Sequence, residues 1–159
     1  SLWWIGRRQI AGKRAAWLPM IIVSVAIVLV VVWLPRQGDR AAVAARAGDA
    51  EPFSEQRLAA LRAEGRPVFL YFTADWCLTC KVNEKTAIER DEVVSAFRKA
   101  GIVTLAGDWT RGDPRIGGFL ARHGRSGVPY YLFYPANHGE PRELPQILTP
   151  SLMLSLIRS

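Results

Sequence analysis

The chain has 159 residues, half of them hydrophobic, with a formal net charge of +7 and only two cysteines and two histidines. The basic excess is uneven, because residues 1–50 carry seven Lys/Arg against two Asp/Glu and residues 51–159 carry fourteen against twelve. A positive excess confined to one end of the chain is weak evidence for nucleic-acid binding, so we expect no nucleic-acid partner.

An apolar segment without charge extends over residues 17–34, and Ser24 is its polar exception. At 1.5 Å per residue a helix of this length covers about 27 Å, close to the hydrocarbon core of a bilayer. Trp17 and Trp33 flank it as interface anchors do. We therefore predict a transmembrane helix over 17–34, and the positive-inside rule puts the preceding basic segment, 1–16, in the cytoplasm.

A cleaved signal peptide is the rival interpretation of this segment. Ala42-Val43-Ala44 resembles a cleavage site, but it lies well beyond the apolar stretch, which is longer than a usual signal core. The chain begins with Ser1 rather than Met, so we expect a fragment or a processed product, with more membrane protein upstream. Residues 35–50 are small and polar, as in a linker, and residues 51–159 are long enough for one domain with a core.

The first predicted elements of this domain are a helix, a strand and a second helix. Ser54 is a candidate N-cap for a helix over 55–64, which Gly65 ends. The continuous apolar run 68–72 predicts a strand buried on both faces. A helix is expected to begin at the cysteines that follow and to continue to about Arg90.

The later elements complete an α-β-α-β-α-β-β-α order. A helix capped by Asp91 and ended by Gly101 is followed by a buried strand over 102–106. Next come a helix opened by Asp113 and Pro114, a strand over 130–134 and an antiparallel strand over 142–148. The last element is a helix capped by Thr149, with Leu152, Leu156 and Ile157 inward. Crossover helices imply parallel pairing of the first strands, with a hairpin added at one edge. The pattern therefore predicts an α/β thioredoxin-like fold, a central mixed sheet flanked by helices.

The two cysteines, Cys77 and Cys80, follow the first strand and are preceded by Trp76. Trp-Cys-x-x-Cys at a helix start is typical of a redox site, because the helix N-terminus favours the thiolate of the first cysteine. The second cysteine lies almost one turn further on, close enough to attack a mixed disulfide and release the partner. We expect Cys77 to be the exposed attacking thiol and Cys80 the buried resolving thiol.

Three other interpretations of the pair fit less well. A zinc site needs about four ligands, and His123 and His138 do not have the spacing of a zinc finger. Covalent haem attachment requires a histidine after the second cysteine, where this chain has Lys81. A purely structural disulfide across two residues closes a very small loop and stabilises little.

Four segments carry a family resemblance: residues 65–69, 72–84, 108–110 and 123–129. Through them, residues 65–134 resemble the C-terminal domain of the DsbD family of transmembrane thiol:disulfide interchange proteins. The resemblance implies that residues 17–34 are the last helix of a membrane domain and that the catalytic domain is periplasmic at a bacterial inner membrane. It also implies an upstream membrane electron-transfer domain, extracytoplasmic thiol/disulfide partner proteins, and a cysteine pair without a further cofactor or metal.

Two features bear on proton handling. The family usually has an acidic residue six positions before the first cysteine, and this chain has Tyr71 there. Glu84, four residues after Cys80 and matched by a glutamate in the family, is the candidate to take or return the Cys80 proton. The alternative for Glu84 is a solvated helix glutamate paired with Lys81 or Lys85.

The candidate substrate-docking residues are Trp76, Val128 and Pro129. Pro129 directly precedes a strand, and the resembling block ends in the same Val-Pro pair, so we predict a cis bond between Val128 and Pro129, facing Cys77. A cis bond there lets the Val128 backbone pair with an extended substrate segment. We also expect Pro129 to contact the Cys77 sulfur.

These features indicate a membrane-anchored thiol–disulfide oxidoreductase that acts as a reductant outside the cytoplasm. One alternative is a single-span thioredoxin-like reductase for cytochrome c maturation, which has the same chemistry without an upstream electron channel. A second alternative is a tethered thioredoxin fold that captures thiol proteins as a chaperone. Catalytic turnover separates the enzymes from the chaperone.

Overall fold

The computed structural model describes residues 20–27 and 50–158. Residues 20–27 are helical, with exposed side chains, and the rest of the predicted span 17–34 lies outside the described residues, as do the basic segment 1–16 and the linker up to residue 49. Within these two described stretches, no helix has both the length and the apolarity that a membrane crossing requires.

A five-stranded mixed sheet forms the centre of the domain, in the order β1-β3-β2-β4-β5. Its strands are β1 (Glu51–Pro52), β2 (Val68–Thr73), β3 (Val103–Asp108), β4 (Tyr130–Tyr134) and β5 (Arg142–Glu143). Strand β3 runs parallel to both β1 and β2, whereas β4 runs antiparallel to β2 and β5. The predicted parallel start and antiparallel hairpin at one edge are confirmed; β1 was not predicted.

Five helices lie along the sequence between and after these strands: α1 (Glu55–Ala63), α2 (Leu78–Asn83), α3 (Asp91–Lys99), α4 (Pro114–Arg122) and α5 (Pro150–Ser155). The predicted N-caps Ser54, Asp113 and Thr149 each accept a hydrogen bond from a backbone N–H in the first turn of their helix. Gly65 and Gly101, at φ of +69°, follow α1 and α3 as expected for the residues that end these helices.

The helix expected from the cysteines to about Arg90 is present as α2 continued by a π-helical turn, Glu84–Ile88. Two other predictions about element boundaries were wrong. Asp91 is the first residue of α3 rather than its cap, which is Arg90. The strand expected over 142–148 keeps only the two residues of β5, because the chain after Leu144 turns toward α2 to pair with a side chain there.

The sheet separates two apolar clusters, and alternate residues of β2 enter each of them. Phe69 and Tyr71 belong to the cluster that packs with α3 and α5, whereas Leu70 and Phe72 belong to the one that packs with α1 and α4. All six residues of β2 are buried, as its continuous apolar run predicted. In α5 the buried side chain is Met153, followed by Leu156, whereas the predicted inward residue Ile157 is exposed.

Candidate functional site

The cysteine pair lies where the central strand β2 passes into α2. The Cys77 N–H donates to the Ala74 carbonyl at 3.1 Å, which forms a tight turn after the strand. Cys77 is the N-cap of α2 and is disulfide-bonded to Cys80, with 5.3 Å between their Cα atoms. The predicted placement of the pair at a helix N-terminus is confirmed.

The two sulfurs have different surroundings. The Cys77 Sγ accepts a hydrogen bond from the Cys80 N–H at 3.2 Å, so the pair uses the free amides of the first helical turn. Cys77 is 7% exposed and Cys80 is 1% exposed. A thiolate at Cys77 would be stabilised by the same amide and by the helix dipole. In the disulfide-bonded form Cys77 is buried, though less than Cys80, and not exposed as expected, and its role as the attacking thiol stays a prediction.

Val128 packs against a small cluster formed by Ala74, Cys77 and Cys80. The Val128–Pro129 bond is cis, as predicted, and Pro129 directly precedes β4. The loop before β4 thus meets the cysteine pair, and the contact between Pro129 and the Cys77 sulfur stays a prediction.

Trp76 is an exposed indole at the edge of the site, with 61% of its surface accessible. Its Nε1 donates to the Thr110 carbonyl at 3.3 Å, and its ring centroid is 6.3 Å from that of Trp109. Leu78, in the first turn of α2, is also exposed. Two exposed apolar side chains therefore lie next to the disulfide in the sequence.

Glu84 is buried, one turn after Cys80. Its backbone N–H donates to the Cys80 carbonyl, its Oε1 accepts a hydrogen bond from the Thr73 hydroxyl, and its Oε2 is 2.9 Å from Lys81 Nζ. Lys81 Nζ is also 3.9 Å from Asp75 Oδ1. The Lys81 pairing expected for a solvated glutamate is present, but the Glu84 side chain is only 11% exposed, and Thr73 at the end of β2 donates to its carboxylate.

Tyr71, where the resemblance would have an acid, is a buried phenol in the electrostatic field of Glu84. Burial raises the pKa of Tyr71 far above its ordinary value, and the Glu84 charge raises this pKa further. Burial also raises the pKa of Tyr131 to about 12, with a hydrogen bond from Asn83 opposing the shift. Both phenols are therefore protonated near neutral pH, and neither replaces the missing acid as a base.

Asn83 is a buried polar residue of the site that the sequence did not single out. Its Nδ2 donates to the Tyr131 hydroxyl at 2.8 Å and to the Gln146 carbonyl at 2.7 Å, while its Oδ1 accepts from the Leu148 N–H at 3.1 Å. These bonds join α2 to β4 and to the loop before α5. The one available signal was its position three residues after Cys80, on the buried stripe of the helix.

The described residues contain no group of three or more His, Cys, Asp or Glu side chains that could hold a metal ion. Thioredoxin-like domains work with their cysteine pair and need no bound cofactor. The chemistry of the site therefore resides in its two sulfurs and in the groups that move their protons.

Comparison with known proteins agrees with this site. A family model described as thioredoxin-like matches residues 49–136. The thiol:disulfide interchange protein DsbD 1 of Pseudomonas aeruginosa is 37% identical over 87 residues, which are 55% of this chain and 14% of that protein. DsbD of Escherichia coli is 32% identical over 99 residues, which are 62% of this chain and 17% of that protein. The chain thus spans about a seventh of the length of the curated relatives it matches.

Solved structures show the same fold. The oxidised C-terminal domain of DsbD from Neisseria meningitidis matches with a TM-score of 0.53 and 21% identity, covering 67% of this chain and 96% of that one. A thioredoxin from Thermus thermophilus matches with a TM-score of 0.53 and 19% identity, covering 69% and 85%. The chain belongs to the thioredoxin-like family, and its domain resembles the C-terminal domain of the DsbD proteins, as its motifs indicated.

Proposed function

We propose that this chain is a thiol–disulfide oxidoreductase that passes electrons through Cys77 and Cys80 to disulfides of partner proteins. The observation that carries the proposal is the disulfide at the N-terminus of α2, with the less buried cysteine in the N-cap position. The family match and the names of the relatives, which are thiol:disulfide interchange proteins, support the same chemistry.

The exchange proceeds in two steps from the reduced pair. The Cys77 thiolate attacks one sulfur of the partner disulfide, forming a mixed disulfide and releasing the other partner sulfur as a thiolate. The Cys80 thiol loses its proton and attacks the Cys77 sulfur, which forms the internal disulfide and releases the second partner thiolate. The partner disulfide gains two electrons, the cysteine pair loses two, and the protons of the two thiols end on the partner thiols.

Glu84 is our candidate to accept the Cys80 proton in the second step. The support is its place one turn after Cys80, its burial, and its carboxylate held by Thr73 and Lys81. A general base must be within hydrogen-bond reach of its proton, directly or through one water, when the partner is bound. Tyr71, a neutral phenol with a raised pKa, leaves this role to Glu84.

Trp76, Val128 and Pro129 are our candidates for partner docking. Exposure of the Trp76 indole and packing of Val128 against the cysteines support this role. An extended segment of the partner that pairs with the Val128 backbone would lie beside the disulfide.

We further propose that residues 17–34 anchor the chain in a bacterial inner membrane, with the domain in the periplasm and an upstream membrane domain as its electron donor. The support is the uncharged apolar run, the basic cluster before it and the DsbD relatives. Protease added to sealed spheroplasts should remove the domain. A domain protected until the inner membrane is lysed would contradict the orientation.

The exchange is tested with the full chain and insulin, with dithiothreitol as reductant. Wild-type protein should reduce insulin catalytically, Cys77→Ala should be inactive, and Cys80→Ala should accumulate mixed disulfides through Cys77. Trapping only through Cys80 would reverse the two roles. Binding of insulin without turnover would support a capture module instead of an enzyme.

A further inference from the structure

Thr110 lies two residues beyond β3 and contacts the segment that leads into the cysteine pair. Its hydroxyl accepts a hydrogen bond from the Asp75 N–H at 3.0 Å, and its carbonyl accepts one from Trp76 Nε1 at 3.3 Å. Its own N–H donates to Asp108 Oδ1 at 2.8 Å, and its hydroxyl donates to the same oxygen. One residue thus holds both the backbone and the side chain immediately before Cys77.

The hydroxyl of Thr110 acts both as a hydrogen-bond donor and as an acceptor. It donates to the Asp108 carboxylate, so its lone pairs face the Asp75 N–H. A methyl group in its place would leave that N–H without this acceptor, whereas a serine hydroxyl could make both bonds. Threonine and serine are therefore equivalent in this arrangement, and valine is not.

Trp76 is held although it faces solvent. Besides the bond to Thr110, its ring lies 6.3 Å from Trp109, whose backbone N–H donates to the Thr73 carbonyl at the end of β2. An exposed indole without such contacts would sample several rotamers, and a partner would have to order it on binding. Fixing the ring beforehand removes that cost from association.

We propose that Thr110 is a positioning residue for partner recognition, which fixes Trp76 in the orientation that a partner protein meets beside Cys77. The inference rests on the proposed exchange with protein disulfides. It assigns Thr110 no contact with the reacting sulfurs. Its effect should therefore depend on whether the substrate is large enough to reach Trp76.

The first test compares two disulfide substrates of the reduced full chain, insulin and oxidised glutathione. Thr110→Val should raise the KM for insulin about three- to tenfold, the range expected for one lost net hydrogen bond or slightly more, and should change the rate with oxidised glutathione by less than about twofold. Thr110→Ser should restore the wild-type KM. Thr104→Val, the same change near the other end of β3, is the matched control and should alter neither rate.

The second test asks whether the effect passes through Trp76. Trp76→Phe keeps an exposed aromatic ring but loses the Nε1 donor, so it should fold even if Thr110→Val does not, and should raise the KM for insulin about two- to threefold. The double variant should show less than the product of the two single effects. The inference would be overturned if the effects of the two substitutions on KM multiplied independently. It would also be overturned by an equal loss of activity with both substrates, or by an unchanged KM in either single variant. A wild-type chain inactive toward insulin and glutathione would instead overturn the proposed function, and this inference with it.

Discussion

The outer, solvent-facing side and the inner, buried side of α2 and the segments next to it reverse the usual distribution of polar and apolar side chains. On the outer side Trp76, Leu78 and Val82 are exposed, Leu78 to 78%. On the inner side the polar residues Thr73, Asn83 and Glu84 are buried, and they are the buried polar or charged residues within 50–158. Exposed apolar and buried polar groups are the informative exceptions in a protein, and here both flank one disulfide.

The difference teaches that the two sides meet different requirements. In the proposed exchange, a partner protein would cover the apolar side chains of the outer side. The inner side must satisfy each polar atom within the fold, and the bonds of Asn83 and the two partners of Glu84 do so. Substitutions on the inner side should therefore change the free energy of unfolding or the rate of proton transfer. Substitutions on the outer side should change only the recognition of partner proteins.

Among the residues of these two sides, the largest effect on stability is expected for Asn83→Ala. The change removes three hydrogen bonds and leaves the buried Leu148 N–H without its acceptor. We expect the free energy of unfolding to fall by about 2–4 kcal/mol, measured by urea denaturation. Gln146→Ala is the control, because Gln146 contributes only its backbone carbonyl, and it should cost less than about 0.5 kcal/mol. Equal losses of stability in the two variants would contradict a stabilising role for the buried polar side chains of the inner side.

Glu84→Gln should separate proton transfer from stability. The amide oxygen can still accept from Thr73, but the ion pair with Lys81 is lost, so we expect a cost of about 1 kcal/mol. Insulin reduction near neutral pH should slow about tenfold or more, with a changed pH–rate profile, since the amide cannot take a proton. Glu89→Gln, one turn further along the chain, is the control. An unchanged profile would make Glu84 a structural residue.

The buried phenols predict how stability falls at alkaline pH. Because the pKa of Tyr131 is raised by burial to about 12, the unfolded chain loses this proton first, near the ordinary value of 10. Stability is complete below pH 10 and is lost as the pH rises through the folded-state value; Tyr71, also raised, acts in the same direction. Tyr131→Phe should cost about 1 kcal/mol at neutral pH but show a shallower decline between pH 10 and 12, measured by thermal unfolding. An equal decline in both proteins would contradict the assignment.

The smallest effect is expected on the outer side, for Leu78→Ala. The side chain is mostly in solvent, so the free energy of unfolding should change by less than about 0.5 kcal/mol. The matched change Leu70→Ala, in the fully buried β2, should cost about 2–5 kcal/mol. Reduced turnover with insulin at unchanged stability would support a docking role for this surface. A substantial loss of stability in Leu78→Ala would contradict the distinction between the two sides.

The sequence predicted those parts of the fold that short-range patterns determine. The run that forms β2, the cysteine spacing and the caps Ser54, Asp113 and Thr149 each act within a few residues, and all are confirmed. Residue type at a fixed spacing carries this information, because a helix cap or a buried strand needs no distant partner for its recognition.

The missed features depend on partners far away in the chain. Asn83 bonds to residues 48 to 65 positions later, and Thr110 to a backbone group 35 positions earlier. Strand β1 has two residues, one of them a proline, and is a strand only because β3 lies beside it. No periodic pattern records such contacts, so the polar network behind the cysteines and the Thr110 contacts emerge only from the folded arrangement.

The short edge strands of the sheet have a consequence for self-association. The segments of β2 and β4 are uncharged and rich in aromatic and β-branched or aliphatic residues, the composition that favours intermolecular β-stacking. The strand order puts β2 at the centre and gives both edges to two-residue strands, one ending in Pro52, which lacks an N–H, and the other made of Arg142 and Glu143. A second molecule approaching either edge finds few backbone groups to pair with. The domain thereby keeps its most aggregation-prone strands away from neighbouring molecules for as long as it remains folded.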